Sequence, residues 1–560
     1  MRIYREHRVG NAAPAGRRWL VLALLGALFV AALPVPAALA AATCVVSSTA
    51  DNGPNTLRQC LASVDTGGTI TFSLPNPSTI TLTSGELTIA RSLTITGPGA
   101  AALAVSGNDA SRVFAISGGT INISGLTITR GRVVQTNLID FANRGAGLRI
   151  TGGAVTLTNT VVTANTATGN AGASNSGAGA GILVNSASAS LALVGSAVNG
   201  NTIPGTLGAG TGVQILNGTV TLTDSTVNGN TGPIAVHHNA GTLTITDSPI
   251  NGNTGPTTGI ALVGGTANVI QSVISGNLGR GISQLRGTLI VRDSTISDNT
   301  FANGDGGGLF LNADTSGSTA TITGSTISGN HTASNGGGIY IGVSTGTTTI
   351  ANSTISGNSA AQGGGGIFLR DEHLVLRSVT VTGNVADSDG NASGTGGGIA
   401  TDPNPLFTPS ADVRNTIVAG NRRGAATADD CAAAIAAGDY NLWGDNTACP
   451  AGGAHDLNLA TLGQTIAQVL ETTLDANGGP TLTHALVEDS PARHQGDNVA
   501  CAAAPVSGLD QRGIARPGGA TCDIGAVEGL APPKVGLTLT TNGGGAVGRG
   551  PAGGGSGPYT

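Results

Sequence analysis

The densest group of titratable side chains in this chain is Asp371-Glu372-His373. A carboxylate beside an imidazole suits general acid–base chemistry, and two carboxylates facing one another across an exposed surface suit glycosidic bond cleavage. Three more carboxylates, Asp224, Asp247 and Asp293, occupy one position of an internal repeat and would line one side of it. Gly195, Gln271, Gly324 and Asn352 fill the same position in other copies, which reads as a tolerant surface corner. The catalytic candidates are therefore Asp293, Asp371, Glu372 and His373. The simpler reading of the 371–373 cluster is a solvated turn between two strands. His237-His238 could ligate a metal, but neighbours on a strand point to opposite faces. Asp475, His484, Asp510 and Arg512 sit in regular surroundings and read as a packed polar network. The glycine runs Gly306 to Gly308 and Gly363 to Gly366 precede no helix, so they do not form a phosphate cradle. Asn303-Gly-Asp-Gly-Gly-Gly lacks the residue order of the calcium-binding nonapeptide. No cofactor or metal site is expected.

Whatever positions these residues is repetitive. One motif recurs as Asn159-Thr-Val-Val-Thr-Ala-Asn165, Gly195 to Asn201, Asp224-Ser-Thr-Val-Asn-Gly-Asn230 and Asp247 to Asn253. It continues through copies closing at Asn277, Asn299, Asn330, Asn358, Asn384 and Asn421, the closing asparagines spaced 22 to 37 positions apart. A period in the twenties with variable inserts marks a solenoid. Between these motifs lies glycine followed by an aliphatic strand, as in Gly308-Leu-Phe-Leu and Gly338-Ile-Tyr-Ile, and often a third strand such as Gly241-Thr-Leu-Thr-Ile-Thr. Apolar residues alternate with Thr, Ser or Asn, the period of a half-buried strand. A single coil has no interior. Stacked coils pair each strand in parallel with its counterpart about 4.8 Å away and bury columns of Ile, Val and Leu, with a right-handed crossover. The expected fold is all-β, a right-handed parallel β-helix with a short N-terminal capping helix. The closing asparagines, Asn230, Asn253, Asn277, Asn299, Asn330, Asn358 and Asn384 among them, are expected to form a structural ladder, each amide bonding to the next.

Composition agrees. Charged residues make up 10% of 560 positions and aromatics 2%, against 91 glycines, where ordinary domains are about a quarter charged. The net charge of -6 is thinly spread; without clustered Lys and Arg, nucleic acid is excluded as a partner.

The ends differ from the middle. Arg17-Arg18, the apolar run Trp19 to Leu33 and the small residues Ala38, Ala40 and Ala42 read as a signal peptide over 1–42. A retained anchor, or lipidation at Cys44, are the alternatives, and no membrane span is expected in the mature chain. Asn55 to Val64 is the best helical segment, with Asn55 as N-cap, and belongs to a cap with first coils over 43–125. The repeats cover 126–424, a C-terminal coil-and-cap region 425–529, and a Pro/Gly-rich tail 530–560. The tail ends without completing a unit, which leaves open a truncated chain. Six cysteines fall in three close pairs, Cys44 with Cys60, Cys431 with Cys449 and Cys501 with Cys522. Fifteen pairings are possible; locality and export favour three local disulfides, placed at both ends of the solenoid.

The stretches Asn55-Thr-Leu-Arg-Gln, Gly68-Thr-Ile-Thr-Phe72, Leu93-Thr-Ile-Thr-Gly-Pro-Gly99 and Ser111-Arg-Val-Phe resemble the start of bacterial right-handed β-helix repeat proteins, some of which carry a CSLREA domain. Leu57 and Arg58 fit that domain's name-giving motif, and the cysteine is displaced to Cys60. The blocks Asp475-Ala-Asn-Gly-Gly-Pro-Thr-Leu-Thr-His484, Asp489-Ser-Pro-Ala, Asp510-Gln-Arg-Gly513, Arg516-Pro and Cys522-Asp-Ile-Gly-Ala-Val-Glu528 resemble the choice-of-anchor Q domain. The Gly-Gly-x-Ile elements are similar to repeats of polymorphic outer-membrane proteins, although no membrane barrel follows. These resemblances imply an exported, pectin-lyase-like solenoid acting outside the cell or at its surface. A regular stack with no convergent reactive cluster reads as a non-enzymatic, adhesin-like scaffold, with a surface polysaccharide or another cell-surface protein as partner. The alternative is a polysaccharide lyase or glycoside hydrolase on the same architecture.

Overall fold

The buried asparagine that closes each repeat explains why the coils stack in one register. In the computed structural model, which describes residues 42–135, 143–169, 179–204, 210–312, 318–432, 438–444, 448–449 and 453–530, Asn165, Asn201, Asn230, Asn253, Asn277, Asn299, Asn330, Asn358, Asn384 and Asn421 form one row. Each Nδ2 donates to the Oδ1 of the next asparagine at 2.9–3.0 Å. Each backbone N–H donates to the same oxygen at 3.0–3.1 Å. The second amide hydrogen goes to a carbonyl of the preceding coil, Ile296 O for Asn330. All of these amides are buried, and a buried amide must find partners for its donors and acceptor. The row ends on a carboxylate: Asp430 Oδ1 accepts from Asn421 N at 2.7 Å and from Asn421 Nδ2 at 2.8 Å.

A second row runs at another corner. The N–H of Ser196, Ser225, Ser248, Ser272, Ser294 and Ser325 each donates to the next serine Oγ, ending at Ser353, at 3.0–3.2 Å. Each of these hydroxyls donates in turn to a carbonyl two residues back, Thr223 O for Ser225 at 2.8 Å.

Three parallel sheets form the walls. The first contains Leu148–Ile150, Leu309–Leu311 and the starts of the long strands Ile339–Ser356 and Ile367–Thr382. The second contains Thr242–Thr246, Thr266–Ile270, Thr288–Arg292 and Thr319–Thr323. The third contains Thr127–Thr129, Val161–Thr163, Thr295–Ser297 and Thr326–Ser328. Inward residues merge into one apolar cluster running from Val46 to Cys449. Glycine is required where the first sheet meets the asparagine row: a Cβ on Gly338 would lie 2.6 Å from Gly366 O and 3.0 Å from Asn358 Nδ2.

One end of the core is closed by the helix Leu57–Ser63, whose Leu57, Cys60 and Leu61 join the main cluster. Its N-cap is Thr56, not Asn55: the Thr56 side chain accepts from Gln59 N, while Asn55 sits one residue further out at φ 59°. At the other end Leu442–Trp443 and Leu457–Asn458 continue the stack, and Trp443, Cys431 and Cys449 seal the cluster. The disulfides are Cys44–Cys60, Cys431–Cys449 and Cys501–Cys522.

The segment after Asn458 does not simply cap the stack. It turns back along the outer surface of the third sheet. Thr481 Oγ1 donates to Gly324 O, Thr354 Oγ1 to Gln511 Oε1, and Ala526 N to Thr380 Oγ1. Leu459, Val469, Leu470, Leu486, Ala492 and Ile524 cover outward-facing Ile417, Ala419 and Leu442 in a second apolar cluster. The last coils of the third sheet are therefore buried on both faces, as parallel sheets generally are. The signal peptide and tail expected over 1–42 and 530–560 lie, except for Ala42 and Leu530, outside the described residues.

Two outcomes test the rows. Asn330→Ala strands partners in both neighbouring coils and lowers stability by about 3 kcal/mol, seen as a lower thermal midpoint. Burial pushes the Asp430 carboxyl up from 3.8 to about 6. The folded protein then holds this proton more tightly than the unfolded chain, so this group makes folding less favourable as pH rises from about 4 through about 6. Asp430→Asn keeps the acceptor and removes the charge; it raises the melting midpoint at pH about 8 and flattens that segment of the stability–pH curve.

Candidate functional site

Asp224, Asp247 and Asp293 each begin a repeat motif at a residue with left-handed backbone, φ 49°, 48° and 51°. Asn159, Gln271, Asn352 and Asn415 at the same position have φ between 45° and 52°, and Gly195 and Gly324 have 55° and 60°. Asn, Asp and Gly tolerate this conformation best among residue types. The recurrence of Asp there is thus conformational. Half-buried Asp293 lies 3.7 Å from Arg292, and burial raises its carboxyl against the pull of that guanidinium. A Cβ on Gly324 in the next coil would meet Asp293 Oδ1 at 2.3 Å, so this carboxylate packs directly against the neighbouring turn.

The 371–373 cluster is not a turn. It lies inside the continuous strand Ile367–Thr382, and strand alternation separates its members. Asp371 points outward and accepts the Thr408 N–H at 2.8 Å. Exposed His373 bonds Ser410 Oγ through Nδ1 at 2.9 Å. Glu372 points into the solenoid with 7% of its surface exposed, where it accepts from Thr348 Oγ1 at 2.9 Å. His237 and His238 divide in the same way. His237 bonds Gln214 Oε1 at 3.1 Å on the outside, while His238 is fully buried in the interior column between Ile215 and Leu262. Burial lowers both imidazoles to about 4, so both are neutral at neutral pH.

The outer flank of the first sheet gathers groups that the sequence pattern did not single out. Phe310, Tyr340 and Phe368 occupy one outward position of successive coils, stacked with ring centroids 5.2 and 5.6 Å apart. The Arg280 guanidinium covers one end of the stack, 4.0 Å from the Phe301 and Phe310 centroids. At the other end Arg370 donates to Tyr340 Oη at 3.3 Å, lies 3.4 Å from Asp402 and sits over Phe407. Burial raises the Tyr340 phenol. Tyr340 and Phe368 are buried in this stack, which leaves the partly exposed Arg370 guanidinium and Asp402 carboxylate as its polar surface groups. The signal was present in the recurring Gly-x-aromatic-x spacing.

Next to it, Asp387, Asp389 and Asn391 occupy alternate positions of one loop. Asp387 Oδ1 accepts from Ala392 N and Asn391 Oδ1 from Ser393 N, and Ala392 has φ 63°. Calcium loops place oxygen donors in this order, but the twelfth position here is Gly398, which supplies no bidentate carboxylate. Among the described residues no three His, Cys, Asp or Glu side chains converge as a metal site.

Asp475, His484, Asp510 and Arg512 belong to the returning segment. His484 bridges Ser356 Oγ and Glu471 O, both at 2.7 Å, tying that segment to the third sheet. Arg512 pairs with Asp510 at 2.8 Å with neither side chain exposed, and Arg516 pairs with Glu528 at 3.3 Å. Asp510 Oδ2 also accepts from Glu528 N. These charges hold the segment's own backbone together.

Residues 234–429 match the family model described as a right handed beta helix region. The solenoid is a right-handed parallel β-helix. Among solved structures, pectate lyase Pel9A is 15% identical over 88% of this chain and 98% of its own, with a TM-score of 0.27. The PL6 family alginate lyase AlyGC is 11% identical over 74% of this chain and 78% of its own, with a TM-score of 0.22. At these values neither bears on substrate or activity. No curated protein matches the sequence.

Asp510→Asn leaves Arg512 buried without its counter-charge. The expected cost is about 3–5 kcal/mol, read as faster proteolysis of the returning segment at temperatures where the coils still give a native circular-dichroism spectrum.

Proposed function

We propose that this chain is an exported, non-enzymatic scaffold that presents a rigid flank to a surface polysaccharide or to another cell-surface protein. The observation that carries this reading is the separation of the candidate carboxylates. Asp293 packs in a left-handed corner, Asp371 caps the Thr408 N–H, and Glu372 faces the interior. Acid–base cleavage needs two such groups across one substrate-sized gap.

What the coils do offer is extended and regular. On the second sheet Thr219, Thr242, Thr266, Thr288, Thr319 and Thr347 stand in register on successive coils, about 4.8 Å apart. The partly exposed pair Arg370 and Asp402 lies on the first sheet. Three disulfides support folding in an oxidising compartment, in keeping with the signal-like N-terminus. The resemblance of the blocks around Asp475–His484 and Cys522–Glu528 to an anchor-associated domain supports a place at the cell surface.

The test is incubation of the purified protein with a panel of neutral and acidic polysaccharides, with and without calcium, followed by co-sedimentation and chain-length analysis. The expected result is retention on at least one surface polymer, or on intact cells, with polymer length unchanged. Chain cleavage that disappears in Asp293→Asn or Asp371→Asn would overturn the proposal in favour of a polysaccharide-degrading enzyme.

A further inference from the structure

The interior of the solenoid is aliphatic nearly throughout; besides His238, its polar side chains gather in one group. In the first sheet's inner column Gln284 stands between Leu262 and Leu311. In the second sheet's inner column Ala320 and Thr348 stand between Leu289 and Leu374. The small side chains leave a cavity of about 10 Å³ lined by Gln284, Leu311, Ser318, Thr319, Thr348 and Glu372, room for one particle the size of a water molecule. Glu372 enters it from the following coil. Oε1 accepts the Thr348 hydroxyl, and Oε2 accepts no hydrogen bond among the described residues. Burial raises this carboxyl to about 7, and the Thr348 hydroxyl alone opposes that rise; no basic side chain compensates the charge.

A buried carboxylate without a counter-charge is costly, and an oxygen-lined chamber supplies the means to neutralise it. The polar lining comes from four coils: the Gln284 amide, the Ser318 and Thr348 hydroxyls and the Glu372 carboxylate. Gln284 Nε2 is engaged by Gly287 O and Thr319 O; the two hydroxyls and the carboxylate are hard oxygens, which suit cations without nitrogen or sulfur preference. Calcium takes six to eight oxygens, and magnesium keeps a near-ideal octahedron with several waters. The single Glu372 carboxylate balances one positive charge and leaves a divalent ion under-neutralised, and a one-particle cavity has no room for magnesium's waters.

We propose that the Gln284–Ser318–Thr348–Glu372 chamber is an internal binding site for a single monovalent metal cation, sodium or potassium, that locks four coils together. Its occupancy is independent of the scaffold function. The test is thermal melting of the full chain at pH about 8.5, where Glu372 is ionised, in sodium, potassium or choline chloride at equal ionic strength. Sodium or potassium raises the midpoint by several degrees over choline, with a saturable dependence, and Glu372→Gln melts at one temperature in all three salts. Identical midpoints for the unaltered protein in all three salts, or undiminished cation dependence in Glu372→Gln, would overturn the site. If Glu372→Gln does not fold, Thr348→Val serves in its place, with the same loss expected. Crystals soaked in rubidium chloride give an independent reading: an anomalous peak within the chamber supports the site, and a water there without such a peak refutes it.

Discussion

A buried amide cannot be left half-bonded, and in this protein its partners lie one coil above and one coil below. That requirement organises the molecule. Apolar columns alone would tolerate slippage, since Ile, Val and Leu substitute for one another along each wall at small cost. The asparagine row does not, because a coil displaced by one residue would orphan the donors of the coil before it and the acceptor of the coil after it. Burial supplies the driving force, and the amides supply the register. The variable insert lengths between repeats follow from this division of labour, since loops can grow between fixed corners without disturbing either.

The two kinds of repeated polar residue were unequally legible. The closing asparagines stood out because one residue type recurs at one place with a constant preceding pattern. The serine row was equally regular, at the second residue of the same motif, but serine is so common in this chain that its recurrence drew no notice. The position before it carried the reverse hazard. Its Asp residues look like chemistry, yet their alternation with Asn and Gly is the signature of left-handed backbone, and backbone conformation accounts for it. Glu372 shows that strand parity outranks local composition. Ile367 and Leu369 face inward in the first sheet and Leu374 and Leu376 in the second, so the alternation changes phase within 370–373, and Glu372 takes the inward phase of the second sheet. The returning C-terminal segment was the least accessible to sequence reasoning, because its contacts join residues more than a hundred positions apart, such as Thr354 with Gln511, and no periodicity announces them.

The solenoid is sealed differently along its length. The early coils expose the third sheet, while the later coils are covered by a segment with its own apolar cluster and its own paired charges. Two disulfides lie in or beside the covered part and one at the opposite end. Local stability in a repeat protein is close to a sum over neighbouring units, so the coils from Gly324 onward, with an additional layer on one wall, form the most resistant part of the stack, and the uncovered coils around Asn201 to Asn277 the most yielding.

The asparagine row also has a direction. One N–H of each side chain bonds toward the C-terminal end and each side-chain oxygen accepts from the N-terminal side, so the ten amides share one orientation along the axis, as peptide dipoles do in a helix. The electropositive terminus of this column falls at Asn421, and an anion, Asp430, sits on it. The solenoid is in this sense an oriented electrostatic object, whose two ends are inequivalent to an approaching ion even where their surfaces carry similar formal charge.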